Sequence, residues 1–139
     1  MNTVEPIRDP HLLKLIANDL RSRSQRDYLI FMCGMYLGRR IMDILSLRVK
    51  DIKGKDHISV RESKTGKKIL LPIHKELKAE LAEFIGDKEP EAFVFTSTQK
   101  KYKAIDRTTY YKIIKQSANK FGVERVGCHS LRKTFGYPL

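Results

Sequence analysis

The stretch CHSLRKTFGY, residues 128–137, holds a histidine and an arginine three positions apart, His129 and Arg132. Alone, a His-x-x-Arg pattern is too short to identify a site. Two earlier stretches make it informative: GRRIMDILSL at residues 38–47 and SKTGK at residues 63–67. Together they place arginines, a lysine, a histidine and a carboxylate in a defined order. That joint order is the feature that decides how the rest of the chain is interpreted.

The composition favours a polyanionic partner. The 139 residues suffice for one domain with a sizeable core, and 28 Lys and Arg against 16 Asp and Glu leave a formal net charge of +12. Nucleic acid is the first candidate partner and an acidic membrane surface the second. A basic soluble protein without such a partner is the alternative that charge alone leaves open.

Other classes of protein are disfavoured. No apolar run approaches the roughly 20 residues of a membrane span, and the N-terminus lacks the pattern of a signal peptide. The only two cysteines, Cys33 and Cys128, make no disulfide framework. Histidines and cysteines do not occur at zinc-site spacing. We therefore predict a cytoplasmic protein without membrane contact, metal or other cofactor.

Apolar residues at helical spacing predict five helices, and the stretch around His129 is expected to open one more. Asp9 and Ser24 cap the first two, and the second is apolar on nearly all sides, which places it at the centre of the core. A short third helix covers Arg40–Leu47. The fourth covers Lys75–Ile85, and the fifth follows Asp106. The short run at residues 92–95 is either a buried strand or an irregular core segment.

Between the third and fourth helices the apolar period changes to two. Residues 57–61 and 68–73 alternate, and together with Val49 and Ile52 they predict a small three-stranded antiparallel sheet. Lys64 falls at its second turn. The predicted fold class is α+β, mainly helical, with the sheet packed on a helical bundle. Residues 1–8 are an extended lead-in, and no repeat or linker divides the single domain at residues 9–139.

The three stretches resemble the signature boxes of the tyrosine recombinase, or phage integrase, family over about residues 9–139. Arg40 and Arg132 match the two arginines of the family, and Lys64 matches the lysine of its β-hairpin. His129 matches the box histidine, and Asp43 the acidic position three residues beyond the first arginine. The resemblance implies the catalytic core of a site-specific DNA recombinase, which acts on double-stranded DNA.

The same resemblance implies a role for each matched residue. In the family a tyrosine attacks a DNA phosphodiester, and a 3′-phosphotyrosyl link forms as a 5′-hydroxyl leaves. Arg40 and Arg132 are then expected to stabilise the phosphoryl transition state, with Asp43 orienting an arginine. Lys64 is the expected general acid, and His129 is expected to contact the phosphate and transfer protons.

Both the first arginine and the hairpin lysine have basic neighbours in the sequence. Arg39 stands where the family pattern usually has an apolar residue. The alternatives are pairing with an acidic group, contact with DNA, or an engineered or unusual substitution, and the helical phase favours Arg40 as the catalytic arginine. Lys67 and Lys68 compete with Lys64. Outside the catalytic set we predict that further cations contact DNA. They are Arg39, Lys67, Lys68, Lys100, Lys101, Lys103 and Arg107.

The nucleophile of the family has no match in this sequence. The family has a His or Trp and then the reactive Tyr well downstream of His-x-x-Arg, whereas Tyr137 is only five residues beyond Arg132. We therefore expect a C-terminally incomplete catalytic domain that binds DNA weakly and is inactive alone. Full-length members act as tetramers on DNA, and this chain is expected to be a monomer.

A non-catalytic DNA-binding module, such as a decayed integrase acting as a regulator, is the alternative reading. The basic charge fits it equally well, because phosphate contacts supply affinity without sequence information. A binder, however, has no need for all four of the matched catalytic residues in order. A helix-turn-helix repressor fits less well because the β-like block at residues 49–73 has no place in one. RNA binding is weaker still.

Overall fold

The computed structural model describes residues 9–61 and 65–123, without the side chains of residues 60 and 61. Its elements are α1 (Pro10–Arg23), α2 (Gln25–Leu37), α3 (Ile41–Leu45), α4 (Val49–Ile52), β1 (His57–Arg61), β2 (Lys68–Pro72), α5 (Lys75–Ile85) and α6 (Arg107–Asn119). The mainly helical α+β class with a small antiparallel sheet is confirmed.

Short-range hydrogen bonds cap the first turns of α1, α2 and α6. Ser24 Oγ accepts from the N–H of Asp27 at 3.2 Å, and Asp106 Oδ1 accepts from the N–H of Thr109 at 2.7 Å. Asp9 caps α1 in the same way. Donor and acceptor are two or three residues apart in each case, so the local sequence is enough to identify these caps. The predicted caps are confirmed.

Helix α2 forms the centre of the core, as predicted. Its residues Leu29, Ile30 and Cys33 are fully buried, with α1 and α5 packed against the helix. Burial raises the pKa of the Cys33 thiol to about 12 because the thiolate would lose its hydration. Cys33 is therefore a core residue rather than a reactive thiol. Helix α6 covers α1 and α3 and contributes the fully buried Tyr110.

The described sheet has two strands rather than the predicted three. β1 and β2 pair antiparallel, with Arg61 opposite Lys68. The residues predicted as a further strand form α4 instead, because Asp51 Oδ2 accepts the N–H of Arg48 at 2.8 Å and the N–H of Lys53 donates to the Val49 carbonyl at 2.9 Å. The predicted third helix is also shorter than expected: α3 spans Ile41–Leu45.

The segment after α5 passes through the core and then forms a loop. Phe93 pairs with Arg48 in an isolated antiparallel bridge, and Val94 and Phe95 are fully buried. A second bridge, between Thr96 and Ala104, closes residues 97–103, which we call the basic loop. The short apolar run is thus a buried segment that forms a single bridge.

Of the helices found in residues 9–61 and 65–123, none combines the length and the apolar content that crossing a bilayer requires.

Candidate nucleic-acid site

Arg40 lies at the junction of α2 and α3. Gly38 ends α2 in the left-handed conformation (φ 63°, ψ 26°), which glycine adopts at no steric cost. The chain then runs extended through Arg40 (ψ 150°), whose carbonyl accepts the N–H of Asp43 at 2.9 Å. Arg40 thus precedes α3, and the predicted helix start at Arg40 is wrong by one residue. Arg39 and Arg40 are both half-buried.

Asp43 faces the β-hairpin across a cavity. The carboxylate residue is only 4% exposed. It lines a cavity of about 540 Å³ together with Ser59 of β1 and Lys68 of β2. The structure therefore places the acidic position of the first signature box beside the hairpin that contains the second, although the two are separated in sequence.

Two of the predicted lysines, Lys67 and Lys68, lie at the start of β2, which begins at Lys68. Arg61 of β1 lies opposite Lys68 of β2 in the antiparallel pair. Lys67 and Lys68 are exposed, and the N–H of Lys67 donates to Thr65 Oγ1 at 3.3 Å. Lys64 lies outside the described residues. The preference for Lys64 over its neighbours as the general acid therefore stays a prediction.

The C-terminal members of the predicted catalytic set also lie outside the described residues. His129, Arg132 and Tyr137 fall within residues 124–139, which the structure does not describe. Their approach to Arg40 stays a prediction. Within the two described ranges, no three His, Cys, Asp or Glu side chains are grouped as a metal site would need.

The predicted DNA-contacting lysines of the C-terminal half line two different cavities. Lys100 and Lys103 line a cavity of about 420 Å³ beside the start of α6. Lys101 lines another cavity, of about 790 Å³, on the side of α5. Arg107, the first residue of α6, is exposed, and Tyr102 at the loop tip is 74% exposed.

Sequence reasoning missed Arg26, which anchors the basic loop. Its Nε donates to Asp27 Oδ1 at 2.8 Å. Its Nη1 donates to the Thr96 carbonyl at 2.9 Å and to Thr98 Oγ1 at 3.1 Å. No local pattern marks this residue, because its partners in the loop are about 70 positions away in the chain.

Comparison with protein families and curated proteins gives a consistent result. The model of the phage integrase family matches residues 7–139. A probable integrase/recombinase of Bacillus subtilis (strain 168) is 39% identical over 137 residues, which cover 99% of this chain and 75% of that protein. A tyrosine recombinase of Pseudothermotoga lettingae is 27% identical over 153 residues, covering 99% of the chain and 52% of the relative.

Solved structures share the fold. The XerA recombinase superposes with a TM-score of 0.74 at 23% identity, over 96% of this chain and 50% of that one. Lambda integrase bound to DNA superposes with a TM-score of 0.71 at 20% identity, over 97% and 51%. The chain thus has the fold of tyrosine-recombinase catalytic domains and spans about half the length of these structures. It belongs to the phage integrase family.

Proposed function

We propose that this chain is the catalytic domain of a site-specific DNA recombinase, which breaks and rejoins DNA through a 3′-phosphotyrosyl intermediate. Membership of the phage integrase family supports the reaction class. The observation on which the proposal depends is the position of Arg40, at the junction of α2 and α3, with buried Asp43 close by and facing the hairpin. Double-stranded DNA is the proposed partner; lambda integrase, which shares the fold, has been solved bound to DNA.

The proposed roles of Arg40 and Arg132 follow from the charge of the reaction. Attack on a phosphodiester places additional negative charge on the non-bridging oxygens in the transition state. A guanidinium stays ionised at any relevant pH and presents parallel N–H donors, so it binds such oxygens better than an ammonium does. Donors held in place before the reaction lower the barrier, because nothing has to reorganise as charge develops.

Proton transfer is assigned to Lys64 and His129. The leaving 5′-oxygen must gain a proton, and a lysine in the hairpin connection can approach it and withdraw. Histidine titrates at about 6.5, close to physiological pH, so it exchanges protons readily. Because strand rejoining reverses the same steps, neither nucleotide hydrolysis nor a metal is part of the proposal.

The nucleophilic tyrosine is proposed to lie outside these 139 residues. Tyr137 follows Arg132 by only five positions. We therefore expect this chain alone to bind DNA without cleaving it, since phosphate binding and nucleophilic attack use different groups.

The experiment compares Arg40→Ala with wild type in the longer product of the same reading frame. The substrate is a nicked suicide duplex bearing an attachment site recovered by in vitro selection. Denaturing gels measure the rate of covalent protein–DNA adduct formation. We expect Arg40→Ala to slow it by about 10²–10³-fold, the typical loss of one preorganised donor, with little change in DNA affinity.

Arg39→Gln is the matched control, because it removes the neighbouring guanidinium. We expect it to retain adduct formation within about tenfold of wild type, since one phosphate contact is worth about that much. Equal losses in both variants would contradict the assignment of Arg40. An adduct formed by the 139 residues alone would refute the placement of the nucleophile.

The same experiment tests the alternative, a non-catalytic DNA-binding module. The basic loop and the exposed Lys67 and Lys68 favour it as much as they favour the enzyme, since phosphate contacts serve both. Retained DNA binding with no adduct from the longer protein would support the module instead.

A further inference from the structure

The cavity between the basic loop and the start of α6 has cationic walls. Arg26, Lys100 and Lys103 line it, against a single carboxylate, Asp106. Its volume of about 420 Å³ lies within the range of roughly 300–1,000 Å³ found for ligand sites. Such a volume admits a phosphodiester together with part of an adjoining sugar.

The one carboxylate among the lining residues stays ionised, but three cationic side chains outnumber it. Asp106 accepts the N–H of Thr109 at 2.7 Å, and this hydrogen bond holds the pKa of the carboxyl below its ordinary value. The backbone N–H of Thr109 is used by the same contact. An anion in the cavity would therefore meet side-chain donors, those of Lys100 and Lys103 above all.

Arg26, which also lines the cavity, is held rigidly by three hydrogen bonds. Its bonds to Asp27, to the Thr96 carbonyl and to Thr98 Oγ1 are formed before any ligand arrives. Its side chain is only 16% exposed. The guanidinium thus supplies a positioned positive charge at little further cost in conformational entropy, although Asp27 offsets part of that charge.

We infer that this cavity seats one backbone phosphate of the DNA, separate from the phosphate that is cleaved. The inference rests on the proposed function and adds a site to it. Within the basic loop, Lys100 and Lys103 line the seat, and Lys101 lines the adjoining cavity. The two cavities share Arg26, Ser97 and Thr98.

A polymer phosphate suits the seat better than a free phosphate ion does. Three exposed side chains are close in sequence to residues that line the cavity: Lys101, Tyr102 and Arg107. A DNA strand that leaves the cavity therefore meets further cationic and aromatic contacts. A free ion would gain none of these contacts. Several phosphate contacts along one strand raise affinity together.

The experiment is an NMR titration of the ¹⁵N-labelled 139-residue chain with a random-sequence duplex. Amide shifts in the basic loop and at Thr109 report the seat, and those at Lys67 and Lys68 report the hairpin. We expect both sets to move in wild type. In the double variant Lys100→Gln/Lys103→Gln, we expect the loop shifts to be lost, the hairpin shifts to remain, and DNA affinity to fall by about tenfold.

Two matched variants control for charge. Lys14→Gln removes an exposed cation on α1 and should leave both sets of shifts unchanged. Lys101→Gln removes a loop cation from the other cavity and should preserve the response at Thr109. A response at Thr109 that Lys101→Gln abolishes as fully as the double variant would overturn the seat. A parallel titration with inorganic phosphate tests the source of the anion: saturation of the loop by free phosphate, with no response there to DNA, would overturn the DNA assignment.

Failure of the inference is distinguishable from failure of the proposed function. Hairpin shifts without loop shifts would overturn the seat and leave DNA binding in place. No shift anywhere with DNA would contradict the proposed function itself.

Discussion

Among the described residues, Tyr110 is the largest side chain that is fully buried. Its hydroxyl has no hydrogen-bond partner among the residues that the structure describes. Burial raises the pKa of the phenol well above its ordinary value, and the nearby carboxylate of Asp27 acts in the same direction. A buried hydroxyl without a partner is a local cost to stability.

We predict that Tyr110→Phe stabilises the protein. Removing the hydroxyl eliminates the cost of its desolvation, so the free energy of unfolding should rise by about 1 kcal/mol. Urea denaturation followed by circular dichroism measures this change.

Ser24→Ala provides a reference with the opposite sign. It removes the acceptor at the start of α2 and should lower the free energy of unfolding by about 1 kcal/mol. A loss of 1 kcal/mol or more in Tyr110→Phe would show that the hydroxyl does have a partner in the folded protein.

At the scale of elements, a carboxylate joins α1 to the end of α6. The side chain of Asp19 is 12% exposed; its Oδ1 accepts from Lys120 Nζ at 3.0 Å, and Arg23 Nε lies 3.6 Å from Oδ2. Burial acts to raise the pKa of Asp19. The Lys120 hydrogen bond, the nearby Ser117 hydroxyl and the charges of Arg23 and Lys120 together outweigh it, so the pKa lies below its ordinary value. Ionised Asp19 therefore stabilises the packing of these helices.

We predict that Asp19→Asn lowers the free energy of unfolding at neutral pH by about 1 kcal/mol. Because the folded pKa is depressed, the stabilisation is present above the unfolded pKa of about 3.9 and is lost as pH falls through the folded value. Chemical denaturation at several pH values should show the variant and wild type converging below about pH 4.

Glu80→Gln tests whether burial of the pair matters. Glu80 pairs with Arg21 at 2.6 Å, but their side chains are 31% and 56% exposed. Its removal should cost well under 1 kcal/mol, since water and salt screen exposed pairs. A larger loss in Glu80→Gln than in Asp19→Asn would contradict the role assigned to Asp19.

Elements defined by local patterns were predictable. Helix α5 has the predicted bounds because the apolar spacing of Leu77, Leu81 and Ile85 and the stop at Gly86 are all properties of neighbouring residues. The prediction of a strand at Val49 and Ile52 is wrong because residues three positions apart share a face in a helix and point to opposite faces in a strand. A distant segment also contacts α4: the N–H of Val49 donates a hydrogen bond to the Ala92 carbonyl at 2.9 Å.

At the scale of the whole molecule, charge predicts how DNA binding responds to salt. A formal net charge of +12 favours association with a polyanion. If four to six of the predicted cations contact phosphates, affinity for random duplex should fall by about 10²–10³-fold between about 50 and 200 mM salt. Fluorescence anisotropy measures this slope.

A nearly flat salt response would contradict binding through phosphates. The double variant Lys100→Gln/Lys103→Gln should reduce the slope by about 1 if the two lysines share one phosphate. A reduction by about 2 would indicate two separate phosphate contacts.

The sequence alone determined the helical core, the caps, the hairpin and the family, because each depends on residues close together in the chain or on the order of three short motifs. It also supplied the candidate set Arg40, Lys64, His129 and Arg132. Only the tertiary structure revealed the cavity between Asp43 and Lys68 and the anchoring of the basic loop by Arg26. These depend on contacts between segments far apart in the chain, and no local pattern encodes such contacts.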